Sequence, residues 1–251
     1  LNYSEKLWGR PCGKLSTDIS GARLQGLCLT TFIMELFSIG RAKARHLDGS
    51  FYYPQYGFGQ IMNNMADKAG RGHILLNKEV TKIFHENGNV TALEINGRET
   101  VPTSTVISTV PLSSLLKMLE PSCPDHITEL AAKLTYRSIL LIMFTIDRDS
   151  ITSAGTVYFP EEKYPFTRVS EPKNRGPLMA PRGKSSLLVE VPVEFGSVYS
   201  AEKKEKLVTE VRNKMTDIGW IKDKDIINIY FDFMDYAYPV LDTIYSARVP
   251  E

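Results

Sequence analysis

One stretch of the chain gathers groups able to hold a charged substrate: VYFPEEKYPFTRVSEPKNRGPLMAPRG, residues 157 to 183. Arg168 lies there between the apolar strand residues Phe166 and Val169. An arginine so placed offers a planar fork of donors that matches a carboxylate or a phosphate. It can equally turn outward and pair with Glu171 or Glu190. Tyr158 is a candidate companion, although Tyr158, Tyr164 and Tyr199 also read as packing residues. Lys173, Arg175, Arg182 and Lys184 form either an anion-friendly rim or a solvated loop. A second stretch, FYYPQYGFGQIMNNMADKAG at 51–70, raises the question of a phosphate cradle, because its glycine turn opens a helix. The dinucleotide fingerprint GxGxxG is absent. Gly57 and Gly59 supply only GFG, so the local reading is a tight strand-to-helix turn.

Other chemistries find no support. The chain has no Ser-His-Asp set, P-loop or HExxH. Cys12, Cys28 and Cys123 are scattered without CxxC spacing, which fits free thiols in a reducing, cytoplasmic setting. His46, His73, His85 and His126 lie far apart without paired ligands, so no metal site is expected. A net charge of +1, with 43% hydrophobic and 24% charged residues, describes an ordinary globular chain. Nothing in that balance favours nucleic acid or an anionic membrane. No apolar run reaches the roughly 18 residues of a membrane-spanning helix. The longest, Ile139 to Phe144, has strand length.

The positioning elements follow from periodicity. A helix is expected over 16–39, capped by Ser16 or Thr17, followed by a basic loop over 40–50. The helix over 59–70 carries Ile61, Met62, Met65, Ala66 and Ala69 as one apolar stripe, read as core, and ends at Gly70. Segment 73–111 is dense in strands, with hairpin turns at NGN (87–89) and NG (96–97) and with Val80, Ile83, Val90, Leu93 and Ile95 inward. PLSSLLKMLEP and ITELAAKL read as short helices. Tyr136–Ile146 reads as a central strand covered on both faces. Strands are expected near 155–159, 165–170 and 185–191, then a helix capped by Ser200 with Leu207, Val208, Val211 and Met215 on one face. In the last strand, 226–233, Ile227, Ile229, Phe231 and Phe233 alternate inward against Asn228, Tyr230 and Asp232.

The order YPQYGFGQIMNNMA, ILLNKEVTKI, NGNVTALEINGRE and VISTVPLSSL resembles the flavin-containing amine oxidase and protoporphyrinogen oxidase superfamily. The opening LNYSEKLWGRPCGKLSTDISGARLQGLCL is similar to a segment that such proteins carry upstream. The resemblance is strongest over 51–116. It implies an α+β (mixed α/β) fold belonging to a two-domain FAD-dependent oxidoreductase. Residues 1–50 and 119–235 would form a substrate domain, a mixed sheet with packed helices. Residues 51–118 would complete the FAD domain, and 236–251 would return towards it. By the same resemblance, Val80 backbone groups meet the adenine edge, Thr109 and Pro111 lie near the cofactor, and Gly57 and Gly59 allow close approach at the flavin end. The family's GxGxxG and its closing flavin segment do not appear, and the chain opens on Leu1. The expectation is therefore an internal piece of a longer protein whose FAD this chain alone does not retain.

Three functions remain open. The parent is an oxidoreductase that passes hydride from a C–N or C–C bond of a small-molecule substrate to flavin. Alternatively, PFTRVSEPKNRGP resembles the substrate segment of UDP-galactopyranose mutases, relatives in the same superfamily whose arginine meets a diphosphate. That would make the substrate an anionic nucleotide sugar, with Arg168 as its contact and Asn174 beside it, since Asn174 and Pro177 partly match that segment, although its serine positions do not match. The third reading is a non-catalytic ligand- or partner-binding domain.

Overall fold

The computed structural model describes residues 3–19, 52–243 and 245. Nearly all of the helix expected over 16–39, and the basic loop after it, lie outside the described residues. The fold is mixed α+β with two sheets. The first takes the order β3–β2–β1–β4, from β1 (Val80–Glu86), β2 (Asn89–Ile95), β3 (Glu99–Pro102) and the short β4 (Leu119–Glu120). The second takes the order β6–β7–β8–β5–β9. Its strands are β5 (Tyr136–Ile146), β6 (Thr156–Tyr158), β7 (Arg168–Ser170), β8 (Ser185–Glu194) and β9 (Ile226–Pro239).

Both expected hairpin turns form as the sequence dictates. Asn87 and Gly88, and then Asn96 and Gly97, all adopt positive φ, the conformation that a two-residue turn matched to strand twist requires. The five-stranded sheet is antiparallel throughout, and the mixed sheet is the smaller one, where β4 runs parallel to β1. The reason is connectivity: short crossings favour antiparallel neighbours, whereas β4 reaches β1 only after the helix α3 (Leu112–Lys117).

The core lies on one side of the five-stranded sheet. Leu140, Ile142, Phe144 and Ile146 of β5, with Leu187, Val189 and Val191 of β8, are buried there. A 17-residue helix, α5 (Ala201–Asp217), covers them with Val211 and Met215, and Leu207 and Val208 pack at its margin. Ser200 caps it, its Oγ accepting from the Lys203 amide at 3.3 Å. The other helices are α1 (Tyr3–Trp8), α2 (Gly59–Ala69) and α4 (Asp125–Ala132).

Three expectations need correction. The described residues cover only one face of strand β5, since Leu141, Met143 and Thr145 are only half-buried. An unbroken apolar run cannot reveal which face lacks a cover. Ile227 is exposed, because the register slips between Thr145 and Ile146: Ile146 pairs with Ile226 and Thr145 with Asn228, leaving Ile227 as the extra residue. Finally, the apolar stripe of α2 is not core, with Met62 and Met65 at 55% and 60% exposure. Its periodicity is real, but none of the described residues buries it.

The glycine turn packs on the loop after β7. Gly57 has φ +88°, and a Cβ there would meet Met179 Cε at 2.9 Å. Gly57→Ala is expected to cost about 1–2 kcal/mol, mostly from the left-handed backbone. A second change, Met179→Ala, then recovers only the smaller share, because a methionine tip can move aside and a φ angle cannot. Urea unfolding of the two variants measures both shares.

Candidate functional site

Directly opposed residues on antiparallel strands share a face. On the side of the large sheet away from α5, the register therefore lines up Tyr158, Arg168, Glu190, Leu141 and Asp232 across all five strands. The adjacent row is Thr156, Ser170, Leu188, Met143 and Tyr230. Beyond Leu141 come Ile139 with Met234, then Arg137 with Tyr238. The face mixes tyrosine, methionine and charge, and Tyr158, Tyr230 and Met234 are exposed.

Helix α1 crosses part of this face. Tyr3 meets Tyr158 edge-on at 5.5 Å between ring centroids, and Trp8 meets Tyr238 at 5.8 Å. A six-residue helix has no stability of its own, so side chains must hold it. Lys6 donates to the carbonyls of Phe159, Glu161 and Phe166 at 2.8, 2.9 and 2.7 Å. Arg137 Nε donates to the Leu7 carbonyl at 3.0 Å. Burial lowers the pKa of both cations and raises that of Tyr3, which Tyr158 pushes up further.

Arg168 reaches into the row. Its Nη2 donates to Glu190 Oε1 at 2.5 Å, while its Nε is buried and has no partner among the described residues. Of the two partners open to it in the sequence, the structure chooses Glu190. Burial works against the guanidinium charge, but the hydrogen bond and charge of Glu190, with help from Tyr158, hold it above its usual range.

Glu171 is instead sealed inside. Its two oxygens accept from the amides of Ile151 and Thr152, from Ser185 Oγ and from Asn174 Nδ2. Asn174 also donates to the Thr152 and Ala154 carbonyls, both at 2.9 Å, and shares none of these partners with Arg168. The amide of Asn174 thus staples a loop, and the structure does not bring it to the arginine. The expected basic rim is largely paired off: Lys173 bonds Asp149 at 2.7 Å, Lys184 bonds Asp147 at 2.8 Å, and Arg175 bonds Thr156.

A hollow of about 310 Å³ opens between the start of β5, the end of β9 and the segment that leads into α3. It gathers Thr109 and Pro111 with Tyr136, Tyr236 and Tyr245. Tyr136 and Tyr236 stack edge-on at 4.9 Å, and Ser113 Oγ bonds the Tyr136 hydroxyl at 3.2 Å. Val80 lies apart from this hollow and from the open sheet face, at the start of β1. Strand β4 pairs with β1 only at Ile83 and Phe84, so the flank of Val80 opposite β2 carries no strand among the described residues. Gly57 approaches Met179, whereas a Cβ on Gly59 would meet nothing within 4 Å.

Glu190 was legible as the one acid within the apolar run LLVEVPV. Tyr3 and Lys6 gave no signal, being part of a helix too short to show periodicity. Among the described residues, no three His, Cys, Asp or Glu side chains gather as metal ligands, and no helix is long and apolar enough to cross a membrane.

Comparison with known proteins identifies the family. The family model described as flavin containing amine oxidoreductase matches residues 23–221. The chain is similar to reduced UDP-galactopyranose mutase, with 20% identity and a TM-score of 0.76, over 99% of this chain and 53% of that one. It is also similar to a protein designated a protoporphyrinogen oxidase from Exiguobacterium sp. 255-15, with 16% identity and a TM-score of 0.59, over 77% and 42% of the two chains. A putrescine oxidase triple mutant aligns with 14% identity and a TM-score of 0.54, over 76% and 43%. At these identities the likeness is one of fold, and the chain spans about half the length of the mutase. No curated protein matches the chain.

Proposed function

The chain belongs to the family of flavin-containing amine oxidoreductases, and we propose that it is the substrate-side portion of an FAD-dependent oxidoreductase that oxidises a C–N or C–C bond of a small molecule. The observation that carries this reading is the large sheet itself, sealed by α5 on one side and, among the described residues, crossed only by α1 on the other, along the row Tyr158, Arg168, Glu190, Leu141 and Asp232. A sheet face without its own core role, lined by aromatic and polar side chains, suits a substrate floor.

In this reading residues 1–50 and 119–235 form the substrate domain, 51–118 completes the FAD domain, and 236–251 leads back to it. The exposed apolar residues Leu75, Leu76 and Ile107, at 70%, 77% and 92%, support it, since a surface of that kind calls for a further layer of protein. The residues present fit only part of the cofactor. The open flank at Val80 suits a base edge, which needs one N–H and one C=O. Thr109 and Pro111 border the hollow beside Tyr136 and Tyr236. The glycine turn does not fit a phosphate, because Met179 already fills the space beside Gly57. FAD, when bound, supplies the hydride acceptor. The chain's own part is to orient the substrate over the sheet and to exclude water, with α1 as a partial cover.

A second reading, a mutase-like enzyme on a nucleotide sugar, draws on Arg168 lying on the open face beside Tyr158 and Tyr3. Visible absorbance tests the main reading. The product of the whole gene is expected to be yellow and to bleach with substrate, while this chain mixed with FAD and desalted stays colourless. A colourless whole-gene product would end both flavoenzyme readings.

A further inference from the structure

Which substrates the open face admits depends on how much of Arg168 is free. An arginine clamps a phosphate or a carboxylate through two parallel N–H bonds, from Nε with Nη2 or from the two Nη atoms. Both routes are closed here. Nε is buried, and Nη2 is held by Glu190 Oε1 at 2.5 Å. Glu190 cannot readily leave. It is the residue directly opposite Arg168 across the β7–β8 ladder, and its side chain is only 11% exposed. Its neighbours along β8, Val189 and Val191, point into the core on the other face, so strand alternation keeps the carboxylate over the arginine. Further along the row, Asp232 adds a second negative charge with no cation paired to it among the described residues.

We propose that Glu190 is a specificity-determining residue: it fills the fork of Arg168 from within, so that the open face refuses phosphate- and carboxylate-bearing substrates and takes one that is uncharged or cationic where it meets the sheet. This rests on the open face being the substrate floor, and it favours oxidation of a neutral or amine substrate over turnover of a nucleotide sugar.

Calorimetric titration of the 251-residue chain with inorganic pyrophosphate and with UDP tests it. Wild type is expected to bind neither at millimolar concentration. Glu190→Gln keeps the shape and removes the charge, and it should bind both at least about tenfold more tightly. The double variant Arg168→Gln with Glu190→Gln should lose that gain. Should Glu190→Gln be too unstable to titrate, its melting temperature gives the same answer, because pyrophosphate should raise it and leave that of wild type unmoved. Equal binding by wild type and Glu190→Gln would overturn the proposal, since Glu190 would then exclude nothing. Absence of binding or stabilisation in every variant would overturn it too, since the fork would then never have been an anion seat. Flavin uptake by the whole-gene product stands outside all these outcomes, so failure here leaves the family reading untouched.

Discussion

Replacing Glu171 with leucine should cost about 3–5 kcal/mol, a large part of the stability of a domain this size. The side chain is about as large, so the loss comes from hydrogen bonds and not from a void. Glu171 is 1% exposed, and its oxygens accept from the Ile151 amide at 2.9 Å, the Thr152 amide at 2.6 Å, Ser185 Oγ at 2.7 Å and Asn174 Nδ2 at 3.2 Å. Leucine would strand these donors, and a buried unsatisfied donor costs about 1–3 kcal/mol. Glu171→Gln should lose roughly half as much, because whichever way its amide turns, the NH₂ faces a backbone N–H, of Ile151 or of Thr152. Equilibrium unfolding in urea orders the three proteins. Equal stability of wild type and the leucine variant would show that water reaches these donors and that the segment 147–156 is not pinned by this carboxylate.

Phe144→Ala is the second large loss, about 3–5 kcal/mol from the lost transfer energy and the cavity left behind. Phe144 is fully buried in the cluster between β5, β8 and α5. The informative comparison is with Met143→Ala, one residue away on the opposite face. Met143 is half-buried on the open side, opposite Leu188 and Tyr230, and its truncation should cost about 1 kcal/mol. In the whole-gene product the order should reverse for substrate affinity: Met143→Ala weakens it, while folded Phe144→Ala leaves it near wild type. Denaturant midpoints and KM values for the pair measure the two effects. Similar stability losses at both positions would mean that both faces of β5 are core, and the open face would lose its claim as the substrate floor.

The pairing of Arg168 shows why part of the site was readable and part was not. An arginine inside a strand already poses the question of its partner. The candidate acids, Glu171 and Glu190, lie 3 and 22 residues away in the sequence. Only the β7–β8 register sets Glu190 opposite the arginine and turns Glu171 to the amides of Ile151 and Thr152. Asn174 went the way of Glu171 for the same reason: both follow β7 into a turn that folds back on the 150s loop. The stripe of α2 failed differently. Amphipathic spacing states that a face seeks cover, and it is silent on where the cover comes from.

By itself the sequence determined the family, both asparagine–glycine hairpins, the strands β5, β8 and β9, the capped helix α5 and the apolar residues it buries. Each of these rests on local spacing, turn chemistry or an ordered series of short motifs, which need no knowledge of distant contacts. Tertiary structure alone decided that β5 has one open face, that Lys6 pins α1 across it, that Glu190 occupies the fork of Arg168, and that Thr109 and Pro111 meet Tyr136, Tyr236 and Tyr245. Those are contacts across 22 to 160 residues of sequence. Strand register and the docking of a short helix set them, and neither leaves a periodic trace along the chain.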